Sequence, residues 1–232
     1  MKNINVLILS AGRRVELVRC FKEARESLGL GGKVVAADIS NTAPAIYHAD
    51  KYHIIPKISA DDFIESLINV CKEENIHLIV PTIDTELQKL SDNKKRIELN
   101  TSAKVLVSRE EVIKICRDKY NTQDFFENNG FGMPRLISKV DIQNKNYEFP
   151  LFIKPLNGSS SINTFKVNSE KELEFFLEYV PEPIVQGFIE GDEFTIDVFT
   201  DFNSKPITIV PRQRLSTRGG EVAKGITKKI ER

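Results

Sequence analysis

Cysteine is scarce in this chain. Cys20, Cys71 and Cys116 stand far apart, with no Cys-x-x-Cys and no Cys/His group at metal-ligand spacing. That excludes a disulfide framework, and no metal ligand set is expected. Each cysteine falls on a helix-like apolar face and is expected to be a small buried hydrophobe, which fits a reducing cytoplasm. Histidine is equally sparse. His48, His53 and His77 are scattered, and each reads as structural rather than catalytic. Net charge is missing too: 33 Lys/Arg balance 33 Asp/Glu, so there is no global nucleic-acid footprint. No apolar run approaches the ~20 residues of a membrane span. The run Val6–Leu9 is too short for a signal sequence. These absences point to a cytoplasmic protein with neither nucleic acid nor membrane as partner. Glycine is lacking where a dinucleotide site needs it. The first loop, Ser10-Ala-Gly-Arg-Arg14, has only Gly12 and not Gly-x-Gly-x-x-Gly, which excludes NAD as the leading ligand.

What is present is an alternation of strand and helix patterns. With 232 residues the chain can form one large or two small domains. Asn5–Leu9, Lys33–Ala37, Tyr52–Ile55, His77–Val80 and Ala103–Val107 read as strands. Between Arg13 and Leu28, Leu17, Val18, Phe21, Ala24 and Leu28 recur at helical spacing, and Gly29 supplies a left-handed stop. Ser59 is expected to cap a helix whose first turn holds Asp61 and Asp62 and which buries Phe63, Leu67, Val70 and Cys71. Repeated βα units imply a parallel sheet with helices on both faces. Ligands then sit at the carboxyl ends of the strands, where Ser10–Arg14, Asp38–Ser40 and Pro81–Glu86 lie. Arg13 and Arg14 can clamp an anion there, or face solvent as helix residues. Asp84 and Glu86 can serve a site, or simply favour a helix start.

Ser108-Arg-Glu-Glu111 is a capping box, so a helix starts near Arg109. A second helical run, Asn121–Asn128, ends at Asn129-Gly130. Lys119, between the two, is by itself one surface lysine among many. Phe149–Ile153 reads as a buried strand that delivers Lys154 to its end, where a lysine is a usable point charge for phosphate. The following loop, Asn157-Gly-Ser-Ser-Ser161, bends readily and offers backbone N–H groups and hydroxyls to an anion. Ser169-Glu-Lys-Glu172 opens another helix. Ile184–Val185 begins a strand running into Gln186-Gly187-Phe188, whose backbone can read an adenine edge. After Gly191, Phe194, Ile196 and Val198 alternate with Glu193, Thr195 and Asp197. Glu193 can accept ribose hydroxyls, or belong to a charged edge strand. The segment Lys205–Arg232 holds 8 Lys/Arg against Glu221 and Glu231, either an anion-binding segment or a solvated one.

Taken in order, Pro81-Thr-Ile-Asp84, Asp118-Lys119, Asn-Gly-Phe131-Gly-Met-Pro134, Phe-Ile-Lys154-Pro and Gln186-Gly-Phe-Ile-Glu-Gly-Asp-Glu193 resemble the ATP-grasp superfamily, within it the carbamoyl-phosphate-synthase-like carboxylate ligases. The resemblance covers essentially the whole chain. It implies an α/β protein: a Rossmann-like parallel-sheet pre-ATP-grasp domain over 1–106, then an incomplete ATP-grasp α+β domain over 107–232. It implies that Lys119 and Lys154 contact ATP phosphates and that Ser159, Ser160 and Ser161 belong to a flap over them. It further implies that Gln186, Gly187 and Phe188 form the adenine hinge, and that Glu193 holds the ribose. Arg212, Arg214 and Arg218 are implied beside the phosphates and an acid substrate. The implied reaction joins a small-molecule acid to an amine through an acyl phosphate, with ATP and Mg2+. Family members continue with strands whose Glu and Glu-x-Asn residues hold two magnesium ions; here the sequence stops at Glu231-Arg232, so it reads as C-terminally truncated. The expectation is ATP binding without full turnover. A second copy of the chain or a complementing C-terminal fragment is the protein partner this suggests. A non-catalytic nucleotide- or anion-binding module is the alternative.

Overall fold

Strands that are apolar on both faces need cover on both sides, and the first half of the chain supplies it. The computed structural model describes residues 2–157, 161–218 and 221–229; of Arg218 and Glu221 only the backbone is described. The chain divides into two compact units, Met1–Cys116 and Arg117–Arg232.

In the first unit β1 (Val6–Ile8), β2 (Val34–Asp38), β3 (Lys51–Ile54), β4 (Leu78–Val80) and β5 (Lys104–Val105) form one parallel sheet in the order β3-β2-β1-β4-β5. The register Val6↔Val34, Leu7↔Val35, Ile8↔Ala36 sorts the side chains by parity. Leu7, Leu9, Val35 and Ala37 pack with α2 (Phe63–Glu73) and α3 (Asp84–Asn100) through Phe63, Leu67, Leu90 and Ile97. Val6, Ile8, Val34 and Ala36 pack on the other side with Val18 of α1 (Val15–Ser27) and Ile46 of a short 3-10 turn. Each fully buried Leu or Ile is worth roughly 1.5–3 kcal/mol, so this two-sided burial, rather than any exposed ion pair, holds the sheet. Strand order reverses at β1, and the loop after β1 opens at that switch point.

One local expectation is met at the end of α1. Gly29 ends α1 at φ 59°, its N–H reaching Glu26 O at 3.0 Å. Others are corrected. The residue before α2 is Asp62, not Ser59, which lies in the turn ahead of it, and Asp62 makes no side-chain cap bond. Only Cys71 is a buried hydrophobe, its thiol pushed up to about 12 by burial; Cys20 and Cys116 are exposed. β5 is two residues long, shorter than Ala103–Val107. Glu74, at the end of α2, is buried, and its carboxylate meets Lys51, Lys33 at 3.4 Å and His53 Nε2 at 3.0 Å. α4 (Glu110–Arg117) runs up to the division between the units.

The second unit starts with α5 (Lys119–Asn128). Next come β6 (Leu136–Ile137), α6 (Lys139–Gln143), β7 (Leu151–Pro155), β8 (Phe165–Val167), α7 (Glu170–Tyr179) and β9 (Pro183–Gly187). The four strands make an antiparallel sheet, β6-β9-β7-β8. Leu151 and Ile153 of β7 point to its core with Val167, Leu173 and Val185, which leaves Phe152 and Lys154 on the opposite face. β10 (Phe194–Thr200), β11 (Pro206–Arg218) and β12 (Glu221–Thr227) form a second antiparallel sheet. β10 and β11 form a hairpin across Phe202–Lys205. Asp201 closes it, accepting from Asn203 N at 2.8 Å and Lys205 N at 2.9 Å. Val198 pairs with Ile209, and both are exposed, so this sheet keeps an open apolar face.

Candidate functional site

Two lysines define the site in the second unit. Asp118 caps α5 by accepting from Tyr120 N at 2.8 Å and Asn121 N at 2.9 Å, which makes Lys119 the first helical residue. A cation there opposes the positive end of the helix dipole, and Arg117 is beside it. The Lys119 ammonium donates to Leu156 O at 2.8 Å. Leu156 follows directly on β7, so Lys119 and Lys154 converge on the strand's end. Burial lowers the pKa of Lys154, and repulsion from Lys119 lowers it further. Burial, then Arg117, lowers that of Lys119, against the opposing pull of Asp118. Neither ammonium is in an ion pair among the described residues. Two partly desolvated cations that repel each other lack an anion, and a phosphate chain fits that need.

A polar bridge positions α5. Gln186 and Gln123 are buried; Gln186 Nε2 donates to Gln123 Oε1 at 3.1 Å, and Gln123 Nε2 donates to Pro134 O at 2.9 Å. The Gln186 side chain thus ties β9 to α5, while its backbone pairs with Leu136 and Phe152. The N–H groups of Gly187 and Phe188 are also engaged, with Arg135 O at 2.9 Å and Pro150 O at 3.2 Å. The amides expected to read an adenine edge are therefore committed to the fold. The half-buried Phe188 ring lies 6.4 Å from Phe152 between centroids, with Lys166 Nζ over it, 4.1 Å from its centroid. Phe152 and Lys166 were missed from the sequence. Phe152 was legible two residues before Lys154 on the same strand face. Lys166 was not, because β8 has only three residues.

Strand alternation puts Glu193 and Asp197 on one face with Arg212 and Arg214, since Arg212 pairs with Thr195. Arg212 grips Asp197 through both Nε and Nη2, the latter at 3.0 Å, and Arg214 Nη1 meets Glu193. The Arg212 hydrogen bond holds the Asp197 carboxyl below the usual carboxylate range. These arginines are thus neutralised by carboxylates rather than presented as bare anion clamps. The same pairs bear on magnesium. Among the described residues, the Asp197 and Glu193 carboxylates on this face are both held by guanidinium groups, so they do not assemble an all-oxygen donor set there. Arg218 ends β11, its backbone paired with Glu221. Ser161 is exposed at φ 53°, in the turn that leads to β8; Ser159 and Ser160 lie outside the described residues.

In the first unit the loop after β1 is tightly tied. Arg14 Nη1 donates to Ser10 O at 3.3 Å, and Thr82 Oγ1 donates to Leu9 O at 2.7 Å.

Residues 116–232 match the ATP-grasp domain family, and residues 6–105 match the family of PylC-like N-terminal domains. Among curated relatives, a carbamoyl-phosphate synthase of Methanobrevibacter smithii is 23% identical over 167 residues, covering 70% of this chain and 44% of that protein. A 3-methyl-D-ornithine--L-lysine ligase of Methanosarcina mazei is 26% identical over 189 residues, covering 79% and 44%. The chain spans less than half the length of these two relatives. The solved L-amino acid ligase of Bacillus licheniformis superposes with a TM-score of 0.71 at 18% identity, covering 100% of this chain and 56% of that one. At that identity the likeness speaks for the fold alone.

Proposed function

Because the chain belongs to the ATP-grasp domain family, we propose that its second unit binds ATP for the ligation of a small-molecule carboxylic acid to an amine. The observation that carries this reading is the unneutralised lysine pair, Lys119 and Lys154, at the end of β7. The two ammonium groups take the phosphates, and the aromatic surface of Phe152 and Phe188 takes the base. The adenine edge then meets backbone beyond Phe188, since the Gly187 and Phe188 amides are already bonded. Ser161, in the turn into β8, adds its hydroxyl to the phosphate cover. In the proposed reaction a carboxylate oxygen attacks the γ-phosphorus and ADP leaves. The amine nitrogen then attacks the acyl carbon, phosphate departs and the nitrogen releases its proton. Fixed positive groups stabilise the charge that builds on the transferring phosphoryl.

Magnesium enters no step drawn from the described residues, because Asp197 and Glu193 on the arginine face are both held by guanidinium groups. That same observation favours a second reading, a nucleotide-binding module that does not turn over. Equilibrium dialysis against ATP and NAD tests the first claim: ATP binds saturably and NAD does not, whereas equal retention of both refutes it. An ADP-release assay with mixed amino acids and Mg2+ then separates ligase from module. Release above the protein-free blank supports ligation, and none supports the module.

A further inference from the structure

The first unit holds a cavity of about 350 Å³ at the carboxyl ends of β1 to β4. That is the small end of the range for ligand sites, roughly 300–1,000 Å³. Its walls are Ile39, Ile55, Pro56, Ile58, Phe63 and Ile83. Against this apolar lining stand two acidic side chains, Asp38 and Glu86, both buried. The loop after β1 orients them. Gly12 N donates to Asp38 Oδ2 at 2.8 Å, and Ser10 Oγ donates to Glu86 Oε1 at 2.5 Å. Ser40 N reaches Asp38 Oδ1 at 3.0 Å, and Thr82 N reaches Glu86 Oε2 at 3.3 Å. Ser10 adopts φ 44°, a strained conformation for a residue with a side chain, of the kind that collects at ligand sites.

Neither carboxylate is in an ion pair among the described residues. Arg14 acts on Glu86 only at longer range, and Lys57 stands exposed at the rim. Burial accordingly pushes the Glu86 carboxyl above its ordinary value. A buried carboxylate without a counter-charge is costly, and a bound cation removes that cost. The apolar walls ask that the cation carry a hydrocarbon body.

We propose that this cavity is a binding site for a small organic ammonium ion, its charged nitrogen between Asp38 and Glu86 and its apolar body against Ile55, Ile58 and Phe63. The proposal concerns the first unit alone and stands whether or not the second unit binds ATP.

Backbone-amide NMR of the full chain tests it, with three isosteric probes: 3-methylbutylammonium, 3-methylbutan-1-ol and 3-methylbutanoate. The ammonium ion shifts the resonances of Ser10, Ile39, Ile58 and Ile83 saturably, and the alcohol and the carboxylate bind about tenfold more weakly or worse. Alcohol binding as tight as ammonium binding overturns the proposal, as does the absence of any saturable shift with the ammonium ion. Glu86→Gln keeps an acceptor for Ser10 and should weaken the ammonium ion about tenfold more than the alcohol. Should that variant not fold, Ile39→Lys decides. Ile39 lines the cavity but is 53% exposed at its mouth, so the added charge leaves the core alone and should weaken the ammonium ion about tenfold more than the alcohol. Equal effects on both probes refute the assignment.

Discussion

Replacing Lys154 by methionine keeps an unbranched stem and removes the charge. A lysine and a phosphate about 4 Å apart gain roughly 4 kcal/mol at an effective dielectric near 20. Desolvation of both groups returns part of this, and a hydrogen bond to a charged group nets about 1.5–3 kcal/mol. At about 1.4 kcal/mol per decade, Lys154→Met should weaken ATP by roughly ten- to hundredfold. Stability should move the other way. The pKa of Lys154 is lowered by burial and then by Lys119, so the unfolded chain holds that proton more tightly than the folded one. The charge therefore costs stability at neutral pH. The cost fades as pH rises through the lowered folded value toward the unfolded value of 10.5. The variant should melt at the same temperature as the parent at pH 7, or higher, and the difference should shrink toward pH 10.5. Calorimetric ATP titration and circular-dichroism melts give both readouts. Unchanged ATP affinity refutes the phosphate assignment. A melting temperature several degrees lower means that Lys154 is structural.

Three further outcomes follow from the same structure. Asp118→Ala removes the acceptor for Tyr120 N and Asn121 N; it should cost about 1 kcal/mol, or roughly 2–4 °C, and loosen ATP through Lys119, and an unchanged melt argues against the cap. Glu74→Gln breaks the contacts with Lys51, His53 and Lys33 and should cost about 1–3 kcal/mol at pH 7, measured by urea unfolding. The Glu74 carboxyl is held down to about 2 from its ordinary value of 4.5, with burial opposing the lysine and histidine contacts; its contribution is thus full above 4.5 and lost as pH falls toward 2, so an equal cost at pH 2 and pH 7 contradicts it. Glu86 has the opposite sign, its pKa being raised chiefly by burial, so Glu86→Gln should gain relative stability as pH rises above 4.5, which pH-dependent melts will show or deny.

Much of the architecture was legible because local rules govern it. Val6–Ile8 and Val34–Ala37 are apolar on consecutive positions, which a strand tolerates only when both faces are covered. Gly29 stops α1 for a reason confined to its own backbone. The Asp118-Lys119 pair and the run into Lys154 stood out once their order along the chain was considered. Local rules failed where a neighbour in space takes over. Ser59 looks like a cap, yet the chain turns again before α2 begins. Cys20 shares a helix with buried Val18, yet is exposed. Nothing local to Arg212 and Arg214 showed that the β10–β11 register would set them beside Asp197 and Glu193.

By itself the sequence determined the parallel sheet and the Asp118 and Ser169 helix starts, because each depends on residues a few positions apart. Only tertiary structure decided which charges are neutralised and which are stranded. Asp197 and Arg212 are fifteen residues apart and bonded. Lys119 and Lys154 are farther apart and repel each other. Asp38 and Glu86 meet one cavity because four strands end together. Charge pairing depends on distance through space, and the pairing of strands sets that distance.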